Sequence, residues 1–462
     1  MNGQDAKVFQ PGFNPVRMSS RGASNVAEIM PKITAAVTAR SEGRLIDLAS
    51  AENWLIRPEL IEICKEAIVN NLKPEDLSYP RAFAGFPEIL DSFAAFLNSH
   101  FNPKIQVEVS HIATAPGAAS CIDALLYNVC DPGDGILVPG PYWSGFDFQF
   151  KARSSVIPVS VVTSDLDSTL LTTALIPALE HAFDSATIPI RALLICNPHN
   201  PFGQCYPREC IEECLRFCQR RNIHYISDEV YAMTTFPCHE IAEPVPFISV
   251  LSVDVAGLGC NLSRVHTVWS TSKDFGQSGV RMGCAITQGN KEIAVGAALA
   301  SHTQTSTLSS ICASAILASP RVSLLIAINS DRLAVAYSMV VSVLKKHRLR
   351  YIPSYAGLYL FAQIAPDCKT WEEEGRAVQR LKHEGVLVSG GRGYHGPESE
   401  KGWARIGFAI PKQQLASALE IMDKVFEAEA ELRRIHSVNN KKGVCMREPE
   451  TFKNLVNSVR NT

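Results

Sequence analysis

The stretch Trp269-Ser270-Thr271-Ser272-Lys273-Asp274, with Arg281 eight residues beyond the lysine, decides how this chain is read. An apolar run over 265–269 precedes it, so the lysine falls where a strand ends. Small hydroxyl residues flank the amine, and the arginine is near enough in sequence to reach the same anion. An amine so placed condenses with an aldehyde, while hydroxyls and a guanidinium hold a phosphate. On its own the motif reads as a surface lysine beside a solvated arginine. Its weight comes from other segments that ask for the same ligand.

The bulk numbers bound the problem. The chain has 462 residues, more than one core usually serves, so two domains are expected. A hydrophobic content of 46% with 19% charged residues indicates a globular chain. A net charge of -2 gives no global attraction to nucleic acid or to a membrane surface, so a small-molecule substrate must be captured by local charges. Residues 1–30 lack a secretory apolar core, and no segment reads as an uninterrupted membrane span. A cytoplasmic location is expected. Of the fourteen cysteines, Cys210, Cys214 and Cys218 recur every fourth residue, on one helical face, as small apolar fillers. With no CxxC or HExxH motif, no metal site and free thiols are expected.

Apolar runs alternate with amphipathic stretches, which predicts an α/β fold: a large domain with a mostly parallel, helix-wrapped sheet, and a smaller α+β domain. Strands are predicted at 135–138, 156–162, 192–196, 223–227, 265–269 and 282–287. Helices are predicted at 57–71, 88–99, 118–129, 168–183 and 207–221. A long helix over 322–347 leads to strands at 358–363, 386–389 and 404–408, with a helix over 371–384. The expected division is an N-terminal arm and part of the small domain (1–75), a large domain (76–320), a small C-terminal domain (321–436) and a tail (437–462).

Ligands of open α/β sheets sit beyond the carboxyl ends of the strands. Asn200-Pro201-Phe202-Gly203, Asp228-Glu229-Val230-Tyr231 and Ser270 to Lys273 each follow a predicted strand, so they converge on one pocket. A ligand with an aldehyde, a phosphate and an electron-withdrawing ring is pyridoxal 5′-phosphate. Its pyridine nitrogen needs a carboxylate, for which Asp228 is the choice, and its phenolic oxygen accepts from Asn200 and Tyr231. Trp143, in a Gly-Pro-Tyr-Trp turn, suits the ring face. Gly117-Ala118-Ala119-Ser120 offers helix-start N–H groups to the phosphate.

In these motifs and their order the chain resembles the fold-type-I, pyridoxal-phosphate-dependent class I/II aminotransferase family, and within it the branch of 1-aminocyclopropane-1-carboxylate synthases and their relatives. The resembling segments are Ala51-Glu52-Asn53-Trp54-Leu55, Gly85-Phe86-Pro87-Glu88, Pro139-Gly140-Pro141-Tyr142-Trp143, Asn197 to Gly203, Ser227 to Tyr231, Ser270 to Gly276 and Gly402-Trp403-Ala404-Arg405. The resemblance implies that Lys273 holds the cofactor as a Schiff base and carries the Cα proton. It implies that Ala118, Ala119, Ser270 and Arg281 bind the phosphate, that Arg405 clamps the substrate α-carboxylate, and that Glu52 lies near the substrate. It also implies a homodimer, in which Tyr79 reaches a phosphate, that of a neighbouring subunit included. One position departs from the branch: Phe83 stands where the cyclopropane-forming synthases carry a tyrosine. The expected reactions are therefore, in order, an aminotransferase or synthase-like conversion of an α-amino acid, a carbon–sulfur lyase reaction on a cysteine conjugate in fungal secondary metabolism, and strict cyclopropane synthesis. A regulator that keeps the fold without the reaction is the non-enzyme alternative, and no basic helical module supports it.

Overall fold

The computed structural model describes residues 18–41, 45–80, 82–163, 165–166 and 170–440, the side chains at 31–41, 433 and 435–440 excepted. Its strands are β1 (Ile46–Asp47), β2 (Ile112–Ala115), β3 (Gly135–Pro139), β4 (Ile157–Val161), β5 (Ile190–Cys196), β6 (His224–Asp228), β7 (Val265–Ser270), β8 (Gly283–Ile286), β9 (Tyr351–Ile352), β10 (Tyr359–Gln363), β11 (Val386–Leu387), β12 (Ser389–Gly390) and β13 (Trp403–Gly407). Seven of them form one sheet in the order β2-β8-β7-β6-β5-β3-β4. Neighbours from β7 to β4 pair in parallel, and β8 runs antiparallel to both β2 and β7. The α/β reading with a mostly parallel sheet holds. Its physical basis is visible in β5, β6 and β7, where nearly every residue is buried because helices cover both faces.

Register aligns the strand ends. Cys196 pairs with Asp228 and Asp228 with Val268, while Ser270 and Ala115 both pair with Gly283. Asp228, Ser270 and the turn after Ala115 therefore share one edge of the sheet. Arg281 sits at that edge too, because it precedes the antiparallel β8.

A second, antiparallel sheet has the order β12-β13-β10-β9, and β1 pairs in parallel with β11. That last pairing returns residues 46–47 to the C-terminal part of the chain and carries 49–52 towards the same sheet edge.

Several boundaries differ from the sequence reading. The expected arm has a second helix, Ser20–Ser41, besides Arg57–Asn71. The helix predicted at 168–183 runs Leu175–Asp184, and part of the predicted segment (167–169) lies outside the described residues. Strand β2 and helices Lys291–Ala300, Thr307–Leu317 and Lys412–Asn440 were not anticipated. The last extends four residues into the expected tail, of which 441–462 lie outside the described residues. Helix Val322–Lys346 is long and apolar enough to cross a membrane by length and composition, contrary to the reading that no segment comes close. Its apolar positions Leu325, Leu333, Val340 and Leu344 are instead buried in protein cores. The thirteen described cysteines are free, with Cys210, Cys214 and Cys218 in one apolar cluster as their spacing predicted. One His/Asp/Glu group of metal-ligating types occurs among the described residues, His347, Asp423 and Glu427. The Lys346 ammonium already bridges its two carboxylates, at 2.7 Å from each.

Candidate active site

Strand β7 delivers the lysine to a rigid turn. Trp269, its penultimate residue, is fully buried among Phe93, Phe96, Phe101 and Phe275, with ring centroids 4.8–6.3 Å away. Its indole Nε1 donates to Asp274 Oδ2 at 2.8 Å, tying the strand to the one-turn helix Thr271–Asp274 that carries Lys273. The side-chain amide of Asn53 donates to the Lys273 carbonyl (3.2 Å) and to Asn329 Oδ1 (2.9 Å). The Ala-Glu-Asn segment is thus the clip that fixes the lysine turn, and it also presents the Ala51 carbonyl, which accepts from Lys273 Nζ.

Around this amine lies a cavity of about 470 Å³. It is lined by eleven of the twelve residues singled out from the sequence: Glu52, Ala118, Ala119, Trp143, Asn200, Asp228, Tyr231, Ser270, Lys273, Arg281 and Arg405. Tyr79 is the exception. It is 85% exposed and does not line this cavity, because it sits in the loop that follows the short helical turn Pro74–Leu77. Phe83 does not line it either, and its half-exposed ring stacks on His302 at 4.7 Å.

Electrostatics set the state of each group. Burial and the positive charge of Arg405 lower the Lys273 ammonium to about 8, with Glu52 and Asp228 opposing. At pH 7 about a tenth is therefore the free, nucleophilic amine, rising to about half near pH 8. Burial pushes Asp228 up to about 7, against a hydrogen bond from the Val230 backbone and the charge of Lys273. Its Oδ1 is buried with no partner, an acceptor waiting for a cationic or N–H donor. Burial likewise pushes the Tyr231 phenol well above its usual range, so it is a donor at any physiological pH. Arg405 is fully buried between the rings of Tyr359 (4.7 Å) and Tyr394 (5.4 Å). Its Nη1 donates to Asn200 Oδ1 at 3.0 Å, which leaves the Asn200 amide NH₂ as the group that residue can offer.

A second set of unsatisfied donors surrounds Ser270. Ser270 Oγ and Ser272 Oγ are buried without partners. Ala118 and Ala119 open helix Ala118–Val129, where N–H groups have no intrahelical acceptor. Gly117 precedes them with φ +86, and a Cβ there would lie 2.6 Å from Arg281 Nη2, which donates to the Pro116 carbonyl. Gly117→Ala should therefore push Arg281 aside and strain the backbone by about 1–3 kcal/mol, weakening phosphate-group affinity at least tenfold or so. An absorbance titration of the stripped protein checks this, and an unchanged dissociation constant would contradict it.

Residues 45–422 match the family described as aminotransferase class I and II. The chain belongs to that family. It is 52% identical over 410 residues to the probable aminotransferase aclI of Aspergillus oryzae, covering 88% of this chain and 97% of that protein. It is 37% identical to the probable aminotransferase gliI of Aspergillus fumigatus (84% and 90% covered) and 29% identical to 1-aminocyclopropane-1-carboxylate synthase 6 of Arabidopsis thaliana (82% and 75%). Among solved structures, aspartate aminotransferase from Thermus thermophilus with maleate superposes with a TM-score of 0.71 at 22% identity, covering 88% of this chain and 99% of that one. Members of the aminotransferase family work with pyridoxal 5′-phosphate, and it is the cofactor of this chain. The unpartnered Asp228 Oδ1 and the partnerless hydroxyls of Ser270 and Ser272, which line one cavity, fit a group with a ring nitrogen and a phosphate.

Sequence reasoning missed some cavity-lining groups of this aminotransferase-family site. Ser272 and Tyr142 stand inside motifs that were quoted for their neighbours. Ser389 and Tyr394 come from the second sheet and the turn after it, and no local signal marks them.

Proposed function

We propose that the chain binds an α-amino acid by its carboxylate on Arg405 and removes the Cα proton with Lys273, as an aminotransferase or synthase-like enzyme of amino-acid metabolism. The observation that carries this reading is the Lys273 amine, buried at a strand end and lowered to about 8 in a cavity shared with Asp228 and Arg405. In this proposal Asp228 pairs with the pyridine nitrogen, and Asn200 and Tyr231 donate to the phenolic oxygen. Trp143 covers the ring face. Ala118, Ala119, Ser270 and Arg281 hold the phosphate. When bound, the cofactor supplies the electron sink that makes a Cα–H bond acidic. Lys273, as a neutral amine, accepts that proton at Nζ and can return it to another carbon. Arg405 holds the carboxylate as a charge-assisted pair, and the tyrosine faces on either side keep water from the guanidinium.

Residues 76–320 are proposed as the large, cofactor-binding domain and 321–436 as the small one. A homodimer is proposed as well. Tyr79 lies close in sequence to Leu77, and both are strongly exposed, which suits a tyrosine that enters the pocket of a second copy.

A second reading is a carbon–sulfur lyase acting on a cysteine conjugate. Among the described residues, the only Lys or Arg side chains that line the cavity are Lys273, Arg281 and Arg405. With those assigned to the aldehyde, the phosphate and the α-carboxylate, none is left for the distal carboxylate of a dicarboxylic amine acceptor, and Glu52 adds negative charge. Elimination needs no acceptor. Loss of the Cα proton is followed by breakage of the Cβ–S bond, whose electron pair leaves on sulfur, and hydrolysis gives a thiol, ammonia and a 2-oxo acid. The trimodular acetylaranotin synthesis protein ataIMG of Aspergillus terreus, 35% identical over 350 residues, is matched over 76% of this chain and 35% of its own length, so one part of a biosynthetic protein resembles this chain.

Cα-proton exchange in deuterium oxide, followed by NMR over a panel of L-amino acids and S-substituted L-cysteines, tests the common step. Exchange that Lys273→Ala abolishes supports the proposal, and its absence across the panel contradicts it. Glutamate formed from 2-oxoglutarate then marks the transferase, and thiol with ammonia marks the lyase.

A further inference from the structure

Two segments meet over the cavity without belonging to one element. Residues 140–147 follow β3 and carry Tyr142 and Trp143, both of which line the cavity. Residues 391–396 follow β12 and carry Tyr394, which also lines it and whose ring lies 5.4 Å from the Arg405 guanidinium. The contact between them is close and polar. The Tyr142 backbone N–H donates to the Tyr394 carbonyl at 2.7 Å. A Cβ on Gly140 would come within 2.6 Å of the His395 carbonyl, so only glycine allows this approach. His395 itself is left-handed (φ +57), which turns its ring back onto Tyr142 at a centroid distance of 4.6 Å.

One carboxylate joins both sides. Asp147 Oδ1 accepts from the Tyr142 hydroxyl at 2.9 Å, and Asp147 Oδ2 bonds His395 Nε2 at 2.7 Å. Burial and the Asp147 charge push the Tyr142 phenol up, so it remains the donor. Asp147 is four-fifths buried on its side chain and His395 about two-thirds, so the pair is partly shielded from solvent. Neither residue lines the cavity, yet each holds a neighbour that does.

We propose that Asp147 and His395 form a clasp that sets the roof of the pocket: they are positioning residues that fix Trp143 on one side and Tyr394, against Arg405, on the other. The inference rests on the site roles proposed above and goes beyond them, since it assigns a function to two groups that touch neither cofactor nor cavity. A loosened clasp lets Tyr394 move from Arg405, so capture of a substrate carboxylate suffers, while the aldehyde remains reachable.

Two carbonyl reagents separate these effects in the cofactor-loaded protein. Aminooxyacetate carries a carboxylate and reads Arg405 capture as well as access to the aldehyde, whereas hydroxylamine reads access alone. Loss of visible absorbance gives both rates. The variants are Asp147→Asn, His395→Asn (asparagine tolerates the left-handed backbone) and their double, with Tyr142→Phe as the mildest lesion. The expected result is an aminooxyacetate rate lowered about tenfold by either single substitution, and no further loss in the double, because the two act through one bond. Hydroxylamine rates should stay within about twofold of wild type and Tyr142→Phe should show a smaller loss of the same kind. Unchanged aminooxyacetate rates, equal loss with both reagents, or additive losses in the double would overturn the clasp. A wild-type protein indifferent to both reagents would instead contradict the site reading on which it rests.

Discussion

Lys273→Ala should lower turnover of any amino-acid substrate by at least about 10⁴-fold, because one amine is asked both to hold the aldehyde and to move the Cα proton. The loss should be chemical and not structural. The turn that carries residue 273 is fixed by the Trp269–Asp274 bond and by Asn53, which grips the Lys273 backbone carbonyl and not its amine. Removal of a buried ammonium lowered to about 8 also takes away a desolvation cost. Thermal stability of the stripped protein should therefore hold or rise while the yellow colour of the loaded protein disappears. Steady-state assays with absorbance spectra and a thermal melt check this. Retained turnover with unchanged colour would remove lysine 273 from the mechanism.

Asp228→Asn should be nearly as damaging, with a loss of about 10³-fold, since an amide cannot balance a cationic ring nitrogen in a dry site. The same residue makes a pH prediction. Asp228 is held up to about 7 by burial, against an ordinary value near 3.9. Between those values the folded chain keeps a proton that the unfolded chain releases. Its contribution to stability is therefore fully present below the lower value and is lost as pH rises through the upper one. The melting temperature of the stripped wild type relative to stripped Asp228→Asn should therefore fall as pH rises from about 4 to about 7. Glu229, also raised to about 7 by burial, and His199, His224 and His266, lowered by burial and opposite in sign, are common to both proteins and cancel in that difference. A cationic ring nitrogen stabilises the ionised carboxylate, so the gain in melting temperature on loading should grow with pH across that window. Melting curves with and without cofactor at several pH values decide it. A gain independent of pH in wild type would contradict the pairing of Asp228 with the ring nitrogen.

The legible part of the site has a common physical origin. Asp228 and Ser270 close the apolar strands β6 and β7, and a polar residue at that position in an α/β sheet faces the ligand edge and not the core. Gly117 with Ala118 and Ala119 was legible for a related reason: a helix start beyond a strand is an anion site. The Ala-Glu-Asn segment was legible only through resemblance. The structure supplies its physics, with Asn53 clipping the lysine turn while Arg57 pairs with Glu52 at 3.1 Å. What stayed hidden depends on contacts between segments far apart in sequence. Ser389 and Tyr394 reach the site, and His395 comes to lie behind it, only because β12 pairs with β13 and the following turn folds onto residues 140–147. Strand β2 reads Ile-Ala-Thr-Ala, too short and too mixed to show a period, although it seats the Gly117 turn. Tyr79 marks a further boundary. Its exposure in a single chain is what a residue serving another copy would show, and nothing local distinguishes that from a solvated loop.

The most direct test of the account is to reduce the cofactor-loaded protein with borohydride, digest it and map the peptides by mass. The account predicts a single pyridoxyl-phosphate adduct, on Lys273, and none in Lys273→Ala. An adduct on another lysine, or reduction that leaves every lysine unmodified, would contradict it.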